Sequence, residues 1–298
     1  LGYSCVPPES IRYLTELSRF VSEVANAAPL SQQPFVGKSA FAHKGGIHVS
    51  AIQKDPAAYE HLAPEIVGNR RRVLVSDLSG KSNISYKARE LDIKLGGNGF
   101  DSSRIVSEIK RLEEGGYQFD AAEGSLALLM EKVTGQFEEP FVLESFRVTT
   151  EKNRSGPGSC HATIKISVGE DQEITAAEGD GPVNALDNAL RKALTKFYPE
   201  IEEMGLVDFK VRVIDGESGT ASKVRVRIES RDPREIWSTI GVSENVIEAS
   251  WQALVDSIQY KLSRERNGIK KSNPTQIQEE ETIAAHSRSA GFLRRALK

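Results

Sequence analysis

The chain has 298 residues, of which 39% are apolar and 27% charged, a composition typical of a soluble globular protein with about two domains. The formal net charge of −3 gives no reason to expect a nucleic acid or a membrane surface as partner, and no apolar run is long enough to span a bilayer. The two cysteines stand far apart in sequence, so we expect no disulfide framework and predict a cytoplasmic location.

The first part of the chain predicts helices separated by irregular segments. "VPPESIRYLTELSRFVSEVANAAP" has Pro8 in a first-turn position and places apolar residues at helical spacing, namely Ile11, Leu14, Leu17, Val21 and Val24. The following segment, up to "SDLSGKSNI", is irregular and rich in Gly and Pro. A second helix is predicted from near Asp101 to the pair Gly115–Gly116, and a third from Asp120, with Glu123 as a capping-box partner.

After Pro140 the pattern changes to strands. "FVLESFRVTT", "HATIKISV" and "QEITAAE" predict three strands, followed by the helix "GDGPVNALDNALRKALTKF". The order then repeats with "DFKVRVID", "KVRVRIES", "EIWSTIG" and the helix "VSENVIEASWQALVDSIQYKL". We therefore predict an α+β fold in which residues 140–264 form a duplicated βββα domain. Residues 265–298 are polar without a sustained period and predict a disordered tail.

The predicted sheets have helices on one side only, which leaves an apolar face to cover. A homodimer would cover it. The candidates for a buried layer are Val211, Val213, Val224, Val226 and Ile228.

The motif "AFAHKGGIHVSAI" raises three interpretations of its histidines, His43 and His48. A metal site needs further ligands, and the spacing does not select Cys5 or His61 for that role. A packed turn would have the histidines bond nearby carbonyls. A catalytic loop would expose His48, with the glycines allowing a ligand to approach the backbone closely. The spacing alone leaves the structural and the catalytic interpretations open.

Two glycine-containing motifs could bind anions. In "SGKSN" Lys81 follows a glycine as in part of a phosphate loop, although the full pattern is absent, so a coenzyme A contact at Lys81 stays open. The neighbouring arginines of "GNRRR" are expected to be solvated. In "GDGP" the residues Gly179, Asp180, Gly181 and Pro182 bring bare backbone to a helix N-terminus, where amides favour a carboxylate. The alternative is that this turn simply starts a helix.

The segment "PFVGKSAFAHKGGIHVSAIQKDPAAYEHLAPEIVGNRRRVLVSDLSGKSNI" resembles the post-barrel region of the 2-isopropylmalate, homocitrate and citramalate synthase family. Its phrases "AFAHKGGIH", "YEHLAPEIVGN" and "SDLSGKSNI" are most similar to the citramalate branch. The repeated βββα pattern resembles that family's C-terminal regulatory domain. The resemblance covers residues 1–264.

The resemblance implies an acyltransferase that condenses acetyl-CoA with an α-keto acid. In that family a (β/α)₈ barrel holds a divalent metal (Mn, Mg or Zn) through an Asp and a His-x-His pair, and His-x-His is absent from this sequence. We therefore predict no metal or cofactor in this chain, and no activity of the chain alone. Residues 1–30 are predicted as the terminal barrel helix and residues 31–139 as a linker with helical subdomains.

The resemblance also assigns roles to residues. His48 is implied as a general acid/base and Tyr59 as a hydrogen-bond donor to the thioester or water, with His43 structural. The turn Gly179–Val183 is implied as the effector site, with isoleucine, or leucine as its rival, bound near a dimer interface. A 2-isopropylmalate or homocitrate synthase fragment and a free-standing amino-acid-binding dimer remain as alternatives.

Overall fold

A computed structural model describes residues 5–27, 29–76, 79–95, 102–152, 154, 158–214 and 219–268. The α-helices in this part are α1 (Leu14–Val24), α2 (Gly46–Ile52), α3 (Lys81–Glu90), α4 (Ser103–Glu114), α5 (Glu123–Thr134), α6 (Pro182–Leu194) and α7 (Val246–Arg266). The strands are β1 (Ala42–His43), β2 (Arg72–Val73), β3 (Val142–Glu151), β4 (Ser159–Val168), β5 (Asp171–Gly179), β6 (Gly205–Val213), β7 (Val224–Arg231) and β8 (Ile236–Ser243). The predicted α+β class is confirmed. From residue 269 onward the predicted tail lies outside the described residues.

Helix α1 is held to the rest of the chain by polar contacts. The Thr15 hydroxyl donates to the Val67 carbonyl at 2.7 Å. Gly68 packs so closely beside the Arg12 carbonyl that a Cβ would lie 2.1 Å from it. The apolar side chains that repeat along α1 are exposed, with Val24 at 71%. The amphipathic pattern of this helix is therefore real, but no described part of the chain covers its apolar stripe.

The segment between α1 and α3 is less irregular than the sequence predicts. Strands β1 and β2 pair in parallel, with His43 opposite Val73. Helix α2 follows directly, and its inner side chains Val49 and Ile52 pack on Val73 and Tyr86. The Gly-Gly pair is thus the start of a short helix rather than the middle of a turn.

Two antiparallel three-stranded sheets form the C-terminal part, in the orders β3-β4-β5 and β6-β7-β8. Helix α6 packs on β4 and β5, and helix α7 packs on β7 and β8. The alternating apolar residues of the central strands point at these helices. Ile164 of β4 and Ile228 of β7 are examples, and both are fully buried. Their burial places the core between each sheet and its helix.

The predicted buried layer of the second sheet forms only in part. Val226 and Ile228 on β7 are buried, whereas Val211 and Val213 on β6 are 46% and 55% exposed. Val211 pairs with Val226, so the two side chains share a face of the sheet. Val211 and Val213 are left uncovered within one chain because β6 is an edge strand and α7 packs on the other two strands.

Helix α5 connects the middle segment to the second sheet. The Ser125 hydroxyl donates to Asp256 of α7 at 2.6 Å and accepts the backbone N–H of Ile240 in β8 at 3.0 Å. At this N-terminal end, α5 begins after Ala122, so the predicted capping box of Asp120 with Glu123 does not form. Glu123 instead lies 3.4 Å from the buried ammonium of Lys87 on α3.

Candidate functional site

The two residues with predicted catalytic roles, His48 and Tyr59, lie side by side. Their ring centroids are 4.3 Å apart with the planes inclined by 31°. His48 is exposed on the outer side of α2, and Tyr59 is 46% exposed at the end of the 3₁₀ turn Pro56–Ala58. An imidazole and a phenol at one solvent-facing point can donate, accept and transfer protons with a bound molecule.

The other histidine of the motif, His43, faces the interior. Its Nε2 lies 2.9 Å from Oε1 of Glu60, and because a carboxylate only accepts, Nε2 carries the hydrogen. The guanidinium of Arg71 donates to the same carboxylate through two nitrogens, at 2.7 and 2.6 Å. His43 and His48 therefore do not share a site. His43, which was expected to be structural, is buried and bonded to Glu60.

The Glu60 carboxylate is an ionised group inside the protein. Burial raises its pKa, but hydrogen bonds from Arg71 and His43 outweigh burial and lower the pKa to about 2. A bidentate arginine is the partner that best satisfies both carboxylate oxygens.

Sequence reasoning missed both members of this pair. The "GNRRR" run was predicted to be solvated, which holds for Arg70 but is wrong for Arg71, whose side chain is largely buried against Glu60. No local signal marks the pair, because Glu60 and Arg71 are eleven positions apart in sequence and the segment between them includes a turn. The only hint is that Glu60 directly follows Tyr59.

The "SGKSN" motif lies against the start of α2. Asn83 of α3 donates to the backbone carbonyls of Lys44 and Leu74, at 2.9 and 3.1 Å. A Cβ on Gly46 would lie 3.2 Å from the backbone nitrogen of Gly80. Lys81 is the exposed first residue of α3, so it lies near the helix that carries His48. The N-cap of α3 is Gly80.

The "GDGP" turn joins β5 to α6. Gly179 ends β5 in tight contact with α6, where a Cβ would lie 2.3 Å from the Ala185 nitrogen. Gly181 is the N-cap in an extended conformation, without a side-chain cap, and a Cβ there would meet nothing within 4 Å. Asp180 is exposed, and Pro182 and Val183 begin the helix half-buried. The turn is therefore tight at its first glycine and open at its second.

The residues that the structure describes contain neither a cluster of metal ligands nor a membrane-spanning helix. No group of three or more His, Cys, Asp and Glu side chains in these ranges is placed to hold a metal ion. No helix within them is both long and apolar enough to cross a membrane.

The class of protein follows from matches to two families. Residues 120–262 match the LeuA allosteric (dimerisation) domain, and residues 35–116 match the homocitrate synthase post-HMGL domain-like family. The first match contains both sheets, α6 and α7, and it begins early enough to include α5. The second match contains His48, Tyr59 and the Glu60 network. The chain is thus similar to a homocitrate synthase post-HMGL domain-like segment followed by a LeuA allosteric (dimerisation) domain.

Relatives narrow the resemblance to one branch. The (R)-citramalate synthases of Geobacter sulfurreducens, Aquifex aeolicus and Synechocystis are 54%, 48% and 47% identical to this chain over 270, 272 and 266 residues. These matches cover 90%, 90% and 88% of this chain, and 51%, 51% and 49% of the relatives. The chain therefore spans about half the length of the curated relatives it matches. The resemblance to the citramalate branch, indicated by the sequence motifs, is confirmed.

Proposed function

We propose that this chain supplies the post-barrel catalytic residues and the feedback site of an (R)-citramalate synthase, which condenses acetyl-CoA with pyruvate and water to form citramalate and CoA. The observation that carries the proposal is the pairing of His48 with Tyr59, 4.3 Å apart on an exposed surface. The names of the relatives favour citramalate over isopropylmalate or homocitrate as product.

The reaction explains why an imidazole and a phenol are needed. Condensation removes a proton from the acetyl methyl group, the enolate attacks the ketone carbon of pyruvate, and water then cleaves the thioester. His48 acts as general acid/base, since imidazole titrates in the working pH range. Tyr59 donates a hydrogen bond to the thioester oxygen or orients the water. A divalent metal in the barrel would polarise the ketone, and its ligands are assigned to residues outside this sequence.

Lys81 is proposed to contact the phosphates of coenzyme A. Its ammonium is exposed at the first turn of α3, where backbone N–H groups also attract anions. The Ser82 hydroxyl donates to the Gly46 carbonyl at 3.3 Å, which keeps this turn beside the helix of His48. Lys81 thus begins the helix that contacts the helix of His48.

The turn Gly179–Val183 is proposed as the effector site, and isoleucine as the effector, because it is the end product of the citramalate route. The two helices that follow the sheets differ at their N-termini. Asn245 caps α7 by accepting the Ile247 N–H at 2.9 Å, whereas Gly181 offers α6 no side-chain cap. The Asp180 N–H donates to Asn184 at 3.1 Å, so the N–H groups of Gly181 and Val183 are the ones proposed to donate to a carboxylate, with the exposed Asp180 placed for the ammonium group.

We propose that the domain forms a homodimer through β6. Phe209, Val211 and Val213 on this edge strand are 37%, 46% and 55% exposed on the face that α7 covers over β7 and β8. A second copy would cover this apolar strip and protect the strand edge. The matched family is itself named for dimerisation.

We also propose that the two βββα halves arose by duplication. Helix α6 begins at Pro182 and α7 at Val246, an offset of 64 residues. The same offset relates two hydrogen bonds between sheet and helix, from Thr175 to the Ala189 carbonyl and from Thr239 to the Ala253 carbonyl. Matching contacts at a constant offset support a repeated unit.

A chimera tests the proposed function. The half of the Geobacter relative that this chain does not match would be joined to residues 1–298. With acetyl-CoA and pyruvate the chimera should release CoA, and the chain alone should not. His48→Ala should lower kcat by roughly 10²–10⁴-fold. A folded chimera that stays inactive with pyruvate, or a His48→Ala variant with normal kcat, would contradict the proposal. Binding of isoleucine by such an inactive protein would favour a free-standing amino-acid-binding module.

A further inference from the structure

Burying the Glu60 carboxylate has a large desolvation cost. Its carboxylate is ionised and only 7% of the residue is exposed. Removing a carboxylate and a guanidinium from water costs several kcal/mol for each ion, and their attraction often does no more than offset that cost. Apolar residues of the same size would fill this space without the cost. The position of the carboxylate therefore calls for an explanation other than stability.

The contacts of Glu60 lead to both candidate catalytic residues. His43, which donates to the carboxylate, is in β1. His48 follows five residues later in the chain, on α2. Glu60 itself is the residue after Tyr59. The hydrogen bond from His43 to Glu60 and the ring contact from His48 to Tyr59 therefore close a loop between two short chain segments.

Arg71 fixes this loop to the framework. It immediately precedes β2, which pairs with β1. One donor to Glu60 therefore lies in this two-stranded sheet and the other lies directly next to it. The bidentate contact sets the orientation of the carboxylate as well as its distance. Tyr59 has little restraint from burial of its own ring, since it is 46% exposed after a 3₁₀ turn of three residues.

We propose that Glu60 is a positioning residue, which holds Tyr59 against His48 by fixing the segment after Tyr59 to His43 and Arg71. The carboxylate takes no part in proton transfer. This proposal deepens the proposed function of the same site. The ring contact between His48 and Tyr59 is measurable without turnover, so the positioning role of Glu60 and the proposed function can fail separately.

The experiment uses histidine-labelled protein of the full chain and follows the carbon-bound ring protons of His48 by NMR. A ring stacked on Tyr59 has these protons shifted upfield, and Tyr59→Ala gives the unstacked reference. In Glu60→Gln an NH2 group replaces Oε2, the oxygen that accepts from Nη2 of Arg71, so the bidentate contact is lost and the His48 signals should move to the position seen in Tyr59→Ala. Glu16→Gln, at an exposed glutamate of α1, should leave them in place.

A second variant, Arg71→Lys, and a rate measurement on the chimera separate the positioning role of Glu60 from a general loss of folding. Arg71→Lys keeps the charge but removes the bidentate contact, so it should give part of the Glu60→Gln shift even if Glu60→Gln unfolds the segment. In the chimera, Glu60→Gln should lower kcat by roughly 10–10²-fold, as misplacement of a catalytic group does. Wild-type His48 signals in Glu60→Gln, or in Arg71→Lys, would overturn the proposal. The expected NMR shifts with an inactive chimera would leave the positioning role intact and refute the function instead.

Discussion

The two glycines of the "GDGP" turn should respond in opposite ways to alanine. In Gly179→Ala the new Cβ would lie 2.3 Å from the nitrogen and 2.7 Å from the Cα of Ala185, and 2.8 Å from the carbonyl carbon of Asn184. All three are backbone atoms of the first turn of α6, so relief requires β5 and α6 to separate. Overpacking costs about 1–3 kcal/mol, and a backbone obstacle places this variant near 3 kcal/mol.

The matched control is Gly181→Ala, two residues further on. Its φ of −158° suits any residue, and a Cβ would meet nothing within 4 Å. Stability should therefore stay within about 0.5 kcal/mol of the wild type. If the isoleucine carboxylate sits on the amides of this turn, the methyl group occupies its approach, and affinity should fall by at least about tenfold, or 1.4 kcal/mol.

Scanning calorimetry and titration calorimetry on the full chain separate the two effects. Gly179→Ala should lower Tm by roughly 6–12 °C, given about 2–4 °C per kcal/mol for a protein of this size. A wild-type Tm for Gly179→Ala would refute the close approach of β5 to α6. Unchanged isoleucine affinity in Gly181→Ala would place the carboxylate elsewhere.

Three other variants test the packing and assembly. Glu60 has a folded pKa of about 2 against an ordinary 4.5, so its stabilisation is full above pH 4.5 and lost as pH falls towards 2. Urea unfolding should show wild type exceeding Glu60→Gln by up to about 3 kcal/mol at pH 7 and converging with it near pH 2; a pH-independent gap would contradict this sign. Lys261→Met leaves Asp232, its partner at 2.6 Å, buried and without its cation, so the same assay should show a loss of about 3 kcal/mol, and no loss would refute the pairing. Light scattering should give twice the chain mass for wild type and one chain mass for a Val211→Lys, Val213→Lys double variant, whereas a wild-type monomer would refute the β6 interface.

Periodicity predicted the regular part of this fold well. The strands and helices after Pro140 agree with the prediction to within a few residues, because each has a buried face that imposes a period of two or 3.6. Helix α2 was missed, since its seven residues are too few to show a period and begin with a glycine. The strand pattern also does not reveal that β6, which carries Val211, lies at the edge of its sheet.

The candidate site also has a part that the sequence predicted and a part that it did not. Resemblance selected His48 and Tyr59, but nothing in a spacing of eleven residues predicts that their rings stack. The Glu60–Arg71 pair depends on the parallel pairing of β1 with β2, which are two residues each. Strands that short carry no sequence signal. Contacts between segments of this kind become visible only in the folded structure.

Feedback inhibition of the chimera requires both the catalytic and the effector half of this chain. CoA release from acetyl-CoA and pyruvate would be measured against rising isoleucine, with leucine and valine in parallel. We expect inhibition by isoleucine at lower concentration than by leucine, and loss of that inhibition in Gly181→Ala with the uninhibited rate retained. An active chimera that none of the three amino acids inhibits would contradict it, and stronger inhibition by leucine would move the assignment to the isopropylmalate branch.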